Sequence, residues 1–248
     1  MTVWSVSPIL LGIMLLAVGA LSMRAGSGAG HPSGDPGGGA GQSSAKVVDW
    51  RIDNLTRIGE LPVTAAGTPR VVPTEIGDAA EFNGTSDGLF LDAHPLVGLG
   101  RFTVEVMFRP AADGPAEQRF LHFEEAETGN RMLLETRLLP DGRWCLDTFL
   151  RYGEASLTLI DRGLLHPSGG WHTVALTFDG ETMTHYVDGA RELSGAVAFK
   201  PLAQGRTSIG VRQNRVSWFK GRIRLIRITS DVVPPSRLLK PPATHAGD

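Results

Sequence analysis

The sequence predicts an all-β protein, a two-sheet antiparallel jelly-roll β-sandwich that follows an N-terminal signal or anchor segment and a flexible linker. Three observations carry this. Short runs in which apolar and polar residues alternate recur between residues 80 and 228, and that alternation is the period of a half-buried strand. Turn signals separate the runs, and the 31 Gly and 16 Pro of the chain supply residues for them. No long stretch carries a helical period. Many short strands at this spacing build sandwiches and jelly rolls rather than parallel α/β sheets.

Taken in order, residues 1–23 hold the membrane-directed signal. The apolar run from Pro8 to Leu21 has the length of a signal-peptide core and is short for a full span. Ala20-Leu21-Ser22 and Ala25-Gly26-Ser27 place small residues where a signal peptidase cuts. The stretch before the run lacks Lys and Arg, and counted from Val3 to Met23 the segment reads as an uncleaved anchor. Both alternatives stay open. No cysteine follows the run, which excludes a lipoprotein. The remainder is expected outside the cytoplasmic membrane, as a secreted, periplasmic or cell-surface domain that touches the membrane only through this segment. Residues 24–45 collapse to Gly, Ser, Ala and Pro and cannot offset their ordering entropy, so they are expected as a linker.

The folded domain is expected over 46–233. Strand-like runs lie at Ala80–Phe82, Gly88–Leu91, Phe102–Phe108, Arg119–Phe123, Met132–Leu139, Arg143–Leu150, Ser156–Ile160, Trp171–Phe178, Met183–Val187, Thr207–Val211 and Arg222–Ile228. The clearest pair is Trp171–Phe178 with Met183–Val187. Val174, Leu176 and Phe178 form one apolar face against Thr173, Ala175 and Thr177, and Gly180 and Gly189 allow the positive φ of tight turns. The tail, residues 234–248, holds four prolines and reads as an extended strap or a disordered end. Cys145 is the only cysteine, so no internal disulfide forms and the core alone supplies stability.

The order of these segments resembles a known family. Asp78-Ala-Ala-Glu-Phe-Asn-Gly-Thr-Ser-Asp87 and then Phe102-Thr-Val-Glu-Val-Met-Phe-Arg-Pro110 look like the opening of a laminin-G-like jelly roll of the concanavalin A-like lectin/glucanase superfamily. Trp171-His-Thr-Val-Ala-Leu-Thr-Phe-Asp-Gly180, Tyr186-Val-Asp-Gly189, Ser208-Ile-Gly210 and Phe219-Lys-Gly-Arg-Ile223 continue the pattern. The resemblance implies the sandwich and a binding module, with a carbohydrate as ligand, and a calcium ion at a sheet rim. Asn83, Asp87, Asp179 and Asp188 have the chemistry for such an ion, and each equally suits a turn residue. Two departures stand out: Arg224 and Leu225 occupy places where family members often carry an acidic pair, and His185 replaces an aliphatic residue.

The residues also suggest a polar site. Pro140-Asp-Gly142 makes a three-residue turn that pairs Arg137 with Cys145 and Glu135 with Asp147. Glu135, Arg137 and Asp147 then share a face, with Leu134, Leu138, Trp144, Leu146 and Leu150 opposite. Opposed carboxylates require relief by Arg137, a cation or a proton. This face is either a ligand site on the concave sheet, with His122 or Glu124 nearby, or a solvated surface with a weak ion pair. Trp218 is placed to stack on a sugar or to pack in the core. His185 reads as a ligand contact or as a satisfied interior histidine.

Charge is uneven. Residues 75–127 carry eleven acidic residues against three arginines, and residues 200–240 carry ten basic residues against Asp231 alone. Arg212 and Arg215 are therefore candidates for binding an anionic polysaccharide, unless the two regions neutralise each other as sheet neighbours. A net charge of -2 argues against nucleic acid. No catalytic residue is assigned: the Glu-x-Asp-x-x-Glu strand of glycoside cleavage is absent, as are phosphate loops and hydrolase motifs. A polysaccharide lyase or hydrolase with an unfamiliar site, and a protein–protein adhesion domain, remain the alternatives.

Overall fold

The computed structural model describes residues 44–243; the expected signal or anchor segment and nearly all of the expected linker lie outside them. No helix among the described residues is long and apolar enough to cross a membrane. Seventeen strands follow in chain order. They are β1 (Val47–Arg51), β2 (Arg57–Ile58), β3 (Leu61–Pro62), β4 (Thr64–Ala66), β5 (Arg70–Val72) and β6 (Ala79–Asn83). Then come β7 (Gly88–Leu91), β8 (Phe102–Pro110), β9 (Glu117–Glu125), β10 (Arg131–Leu138), β11 (Trp144–Tyr152) and β12 (Ala155–Ile160). The last are β13 (His172–Phe178), β14 (Thr182–Val187), β15 (Ala190–Ala196), β16 (Gly205–Ile209) and β17 (Lys220–Thr229), before a 3₁₀ turn at Pro235–Arg237.

Two antiparallel sheets face each other. The eight-stranded sheet runs β15-β14-β13-β8-β17-β6-β5, with β1 also on β17, and the seven-stranded sheet runs β12-β11-β10-β9-β16-β7-β4. The all-β sandwich expected from the sequence is thus the fold. The inward positions of both sheets form one core, with Val104, Val106, Phe108, Val174, Leu176 and Phe178 on one side and Phe123, Leu134, Trp144, Leu146 and Leu150 on the other. Phe108 stacks on Phe120 across this core at 4.7 Å between ring centroids. Burying side chains of this kind contributes about 1.5–3 kcal/mol each, which makes the core the dominant stabilising term.

Over β8, β13 and β14 the outer face of the eight-stranded sheet is covered by a strap through Leu238 and Leu239. Leu238 is buried against Ala175 and Tyr186. The Leu239 N–H donates to Glu105 Oε1 at 2.6 Å, and Thr173 Oγ1 donates to the Leu239 carbonyl at 3.0 Å. The small Thr173, Ala175 and Thr177 row of β13 is what lets this strap approach. Beneath it Glu105 is buried, and that burial pushes its carboxyl above the usual range.

Candidate functional site

The outer face of the seven-stranded sheet carries the polar residues that the sequence suggested. β10 pairs with β11 so that Glu135 opposes Asp147 and Arg137 opposes Cys145, the register expected from the Pro140-Asp-Gly142 turn. Along β10 the period of two puts Arg131, Leu133, Glu135 and Arg137 on this one face. β9 joins through a bulge: Leu134 faces Leu121 but Glu135 faces Arg119, so Phe120 is the extra residue. The bulge sends both Phe120 and Leu121 to the core and turns Arg119 outward.

The result is a cluster that is largely buried, not a solvated surface. Side-chain exposure is 5% for Glu135, 3% for Asp147 and 13% for Arg137. Arg137 Nη2 stands 3.1 Å from Glu135 Oε2 and 2.6 Å from Asp147 Oδ2, while Arg119 Nε stands 2.9 Å from Glu135 Oε2. Burial and the neighbouring Asp147 raise the Glu135 carboxyl to about 6. Burial raises Asp147 as well, against the pull of Arg137. The arginines therefore hold together two carboxylates that would otherwise repel, as the sequence required of this pair.

One step along the sheet, the balance reverses. Arg131 faces Glu124 on β9 and Arg151 on β11, and its guanidinium lies over the Phe149 ring at 4.8 Å. Burial and the nearby Arg212 and Arg151 lower the Arg131 pKa. Glu124 is taken by Arg206 at 3.4 Å. Among the described residues, neither Arg131 nor Arg212 has an ion-pair partner. Between them lies His122, fully buried, whose imidazole is pushed down to about 3 by burial and by Arg212, Arg131, Arg119 and Arg206.

The loop from Gly210 to Phe219 folds over this region. The Gln213 N–H donates to His122 Nδ1 at 3.1 Å, and the Arg119 N–H donates to the Ser217 carbonyl at 2.9 Å. Arg215 and Ser217 both sit at a φ of 59°, the left-handed region that favours glycine. Such residues cost about 1–3 kcal/mol each and collect at binding loops. Trp218 is half-buried over β7, where a Cβ at Gly88 would lie 3.4 Å from its ring. Arg215 lies over the Phe90 ring at 5.2 Å. Two cavities open here, one of 260 Å³ at His122, Glu124, Arg206, Arg212 and Gln213, and one of 160 Å³ from Arg119 to Asp147. Arg212 lines both.

Of the residues singled out in the sequence, Glu135, Arg137, Asp147, His122 and Arg212 come together on this face, and Arg215 and Trp218 flank it. His185 does not. It is buried between the sheets, with Nδ1 2.9 Å from Thr148 Oγ1 and Nε2 3.5 Å from Glu192 Oε2. Asn83, Asp87, Asp179 and Asp188 do not converge either. Asn83 Oδ1 accepts the Thr85, Ser86 and Asp87 N–H groups, and Asp87 accepts those of Thr68 and Asn83. Asp179 accepts the Glu181 and Thr182 N–H groups, while Asp188 accepts that of Thr173 and meets His172 Nδ1 at 2.8 Å. Among the described residues no group of three His, Cys, Asp or Glu side chains is gathered as a metal site would need. Arg119, Arg131, Gln213 and Phe149 escaped the sequence reading. The alternation that places Glu135 and Arg137 also reaches Arg131, whereas Arg119 is hidden by the bulge.

A larger cavity, 580 Å³, lies elsewhere, beside β6, β8 and β17. Its charges are matched. Glu81 takes both Arg70 at 2.7 Å and Arg222 at 2.9 Å, Glu75 takes Arg109 at 3.3 Å, and Asp113 takes Lys220 at 2.6 Å. The acidic and basic stretches of the sequence do neutralise each other here, and Arg212 and Arg215 are outside that exchange.

Comparison with known proteins agrees with this architecture. Domain 4 of an extracellular GH43 arabinanase from Geobacillus stearothermophilus, in complex with arabinotriose, has a similar structure, with a TM-score of 0.59, 23% identity, and coverage of 78% of this chain and 97% of that one. The CBM40 of a Ruminococcus gnavus sialidase, bound to α2,3-sialyllactose, gives a TM-score of 0.52 at 18% identity over 70% of this chain and 95% of that one. The binding domain of botulinum neurotoxin serotype D gives 0.54 at 13% identity over 76% of this chain and 48% of that one. At these identities the likeness is one of fold. No curated protein matches the sequence. Residues 83–238 match the laminin-G-like profile described as the concanavalin A-like lectin/glucanases superfamily. Spanning more than half of the chain, that match carries the assignment: this protein belongs to the concanavalin A-like lectin/glucanases superfamily.

Proposed function

We propose that the domain is an exported carbohydrate-binding module whose glycan lies on the outer face of the seven-stranded sheet, beside the loop from Gly210 to Phe219. One observation carries the reading: polar side chains are gathered there in a largely buried cluster, flanked by two small cavities and by Trp218 and Phe90. Convergent polar groups beside apolar surface are the makeup of a small-ligand site. On the eight-stranded sheet the strap covers β8, β13 and β14, and the 580 Å³ cavity beside it is lined by charges that are paired. The fold shared with proteins bound to arabinotriose and sialyllactose supports a sugar as ligand.

A second reading, glycan cleavage, has the Glu135 carboxyl at about 6 in its favour. Binding is preferred because Arg119 and Arg137 engage one oxygen of each carboxylate and hold the pair in a closed ion cluster. A glycan array probed with the full chain tests the proposal. Retention of at least one oligosaccharide class, lost on Trp218→Ala or Arg212→Gln, is expected; an array blank for every glycan contradicts it. Release of reducing ends or unsaturated uronate, abolished by Glu135→Gln, would favour the second reading.

A further inference from the structure

Resting on that reading, we infer that the notch between Arg131 and Arg212, above His122, binds an acid group of the glycan, a carboxylate or a sulfate ester. The Gln213 N–H donates to His122 Nδ1, so that nitrogen carries the lone pair and the imidazole proton is on Nε2. Nε2 is buried and finds no acceptor in the protein. The same holds for Gln213 Nε2 and Arg131 Nε. Leaving such donors unsatisfied costs about 1–3 kcal/mol each; His122 and Gln213 line the 260 Å³ cavity, Arg131 the 160 Å³ one, and Arg212 joins the two.

The group that answers three donors must be an acceptor. Around it Arg131 and Arg212 form no ion pair, and Arg212 disfavours the charge on Arg131. An anion placed between them would remove that repulsion and accept the orphan protons in one step. A hydroxyl supplies no charge, and a metal ion finds no ligand set in a group of donors. The 260 Å³ and 160 Å³ cavities are at the small end of ligand sites, which suits a single acidic sugar and its neighbour rather than an enclosed chain. His122 acts here as a neutral donor, and the positive charge comes from the arginines.

The test compares paired ligands on the full chain by isothermal titration. Oligosaccharides bearing a hexuronate or a sialic acid are set against their carboxyl-reduced counterparts, and a sulfated oligosaccharide against its desulfated form. Loss of one charge-assisted contact predicts that the neutral member of the responsive pair binds about 10- to 100-fold more weakly. Arg212→Gln is expected to remove that preference, bringing the acidic member down to the affinity of its neutral counterpart. His122→Phe should remove part of it, and His122→Gln, which keeps a donor, should restore part. Equal affinity for both members of every pair overturns the inference but leaves carbohydrate binding standing. A preference that survives Arg131→Gln with Arg212→Gln overturns the location. If no member of any pair binds, the proposed function fails and takes the inference with it.

Discussion

The outer faces of the two sheets use similar strands to opposite ends. On the eight-stranded sheet Asp49 grips Arg227 through two bonds of 2.8 Å, Glu81 grips Arg222, and the strap through Leu238 and Leu239 seals Glu105. On the seven-stranded sheet the charges are more deeply buried, yet Arg131 and Arg212 stand without carboxylates and three donors lack acceptors. A face left with unmet cations and donors is complete only with a ligand.

Substitutions separate the two faces. The largest effect is expected from Arg137→Ala, which strands Glu135 and Asp147 together in a buried place; removing one partner of a buried ion cluster costs about 3–5 kcal/mol, read as a drop in urea midpoint. Leu238→Ala loosens the strap on the other face and should cost about 2–3 kcal/mol, with faster hydrogen exchange at Leu239 and no change in glycan binding.

Acid distinguishes the faces by sign. The folded Glu135 carboxyl titrates at about 6, above the ordinary glutamate value of 4.5, so the folded state holds this proton more tightly than the unfolded chain does. Its contribution to stability is therefore greatest below about pH 4.5 and falls by about 2 kcal/mol as pH rises to about 6. Asp49 is shifted the other way, chiefly by its hydrogen bond to Arg227, and loses stability as pH falls through its lowered pKa. Against wild type, Glu135→Gln should gain relative stability between these pH values; a flat difference would contradict the shift. The smallest effect belongs to Asp49→Asn, whose pair is partly exposed: below about 1 kcal/mol, and vanishing at high salt.

Much of this was legible beforehand, and the reasons are local. The Glu135–Asp147 register followed from one turn, and the apolar face of β13 from simple alternation. What escaped depends on distant chain. β15 reads Ala-Arg-Glu-Leu-Ser-Gly-Ala, with no alternating apolar face, because it is an edge strand whose residues are exposed or half-buried. Arg119 shares its parity with Leu121 and Phe123, and only the bulge at Phe120 turns it outward. His185 departs from the aliphatic pattern because Thr148, on the facing sheet, and Glu192 stand ready for it. The meeting of Arg131, Arg212 and His122 joins β10, a loop and β9, and no spacing within the chain announces it.

The most direct measurement is an amide chemical-shift map of the labelled protein titrated with an acidic trisaccharide and with arabinotriose. Shifts are expected to be confined to β9, β10, β11 and the loop from Gly210 to Phe219, with the strap and β8 unmoved. Shifts centred on the strap, or in the 580 Å³ cavity with its closed ion pairs, would contradict the proposed site.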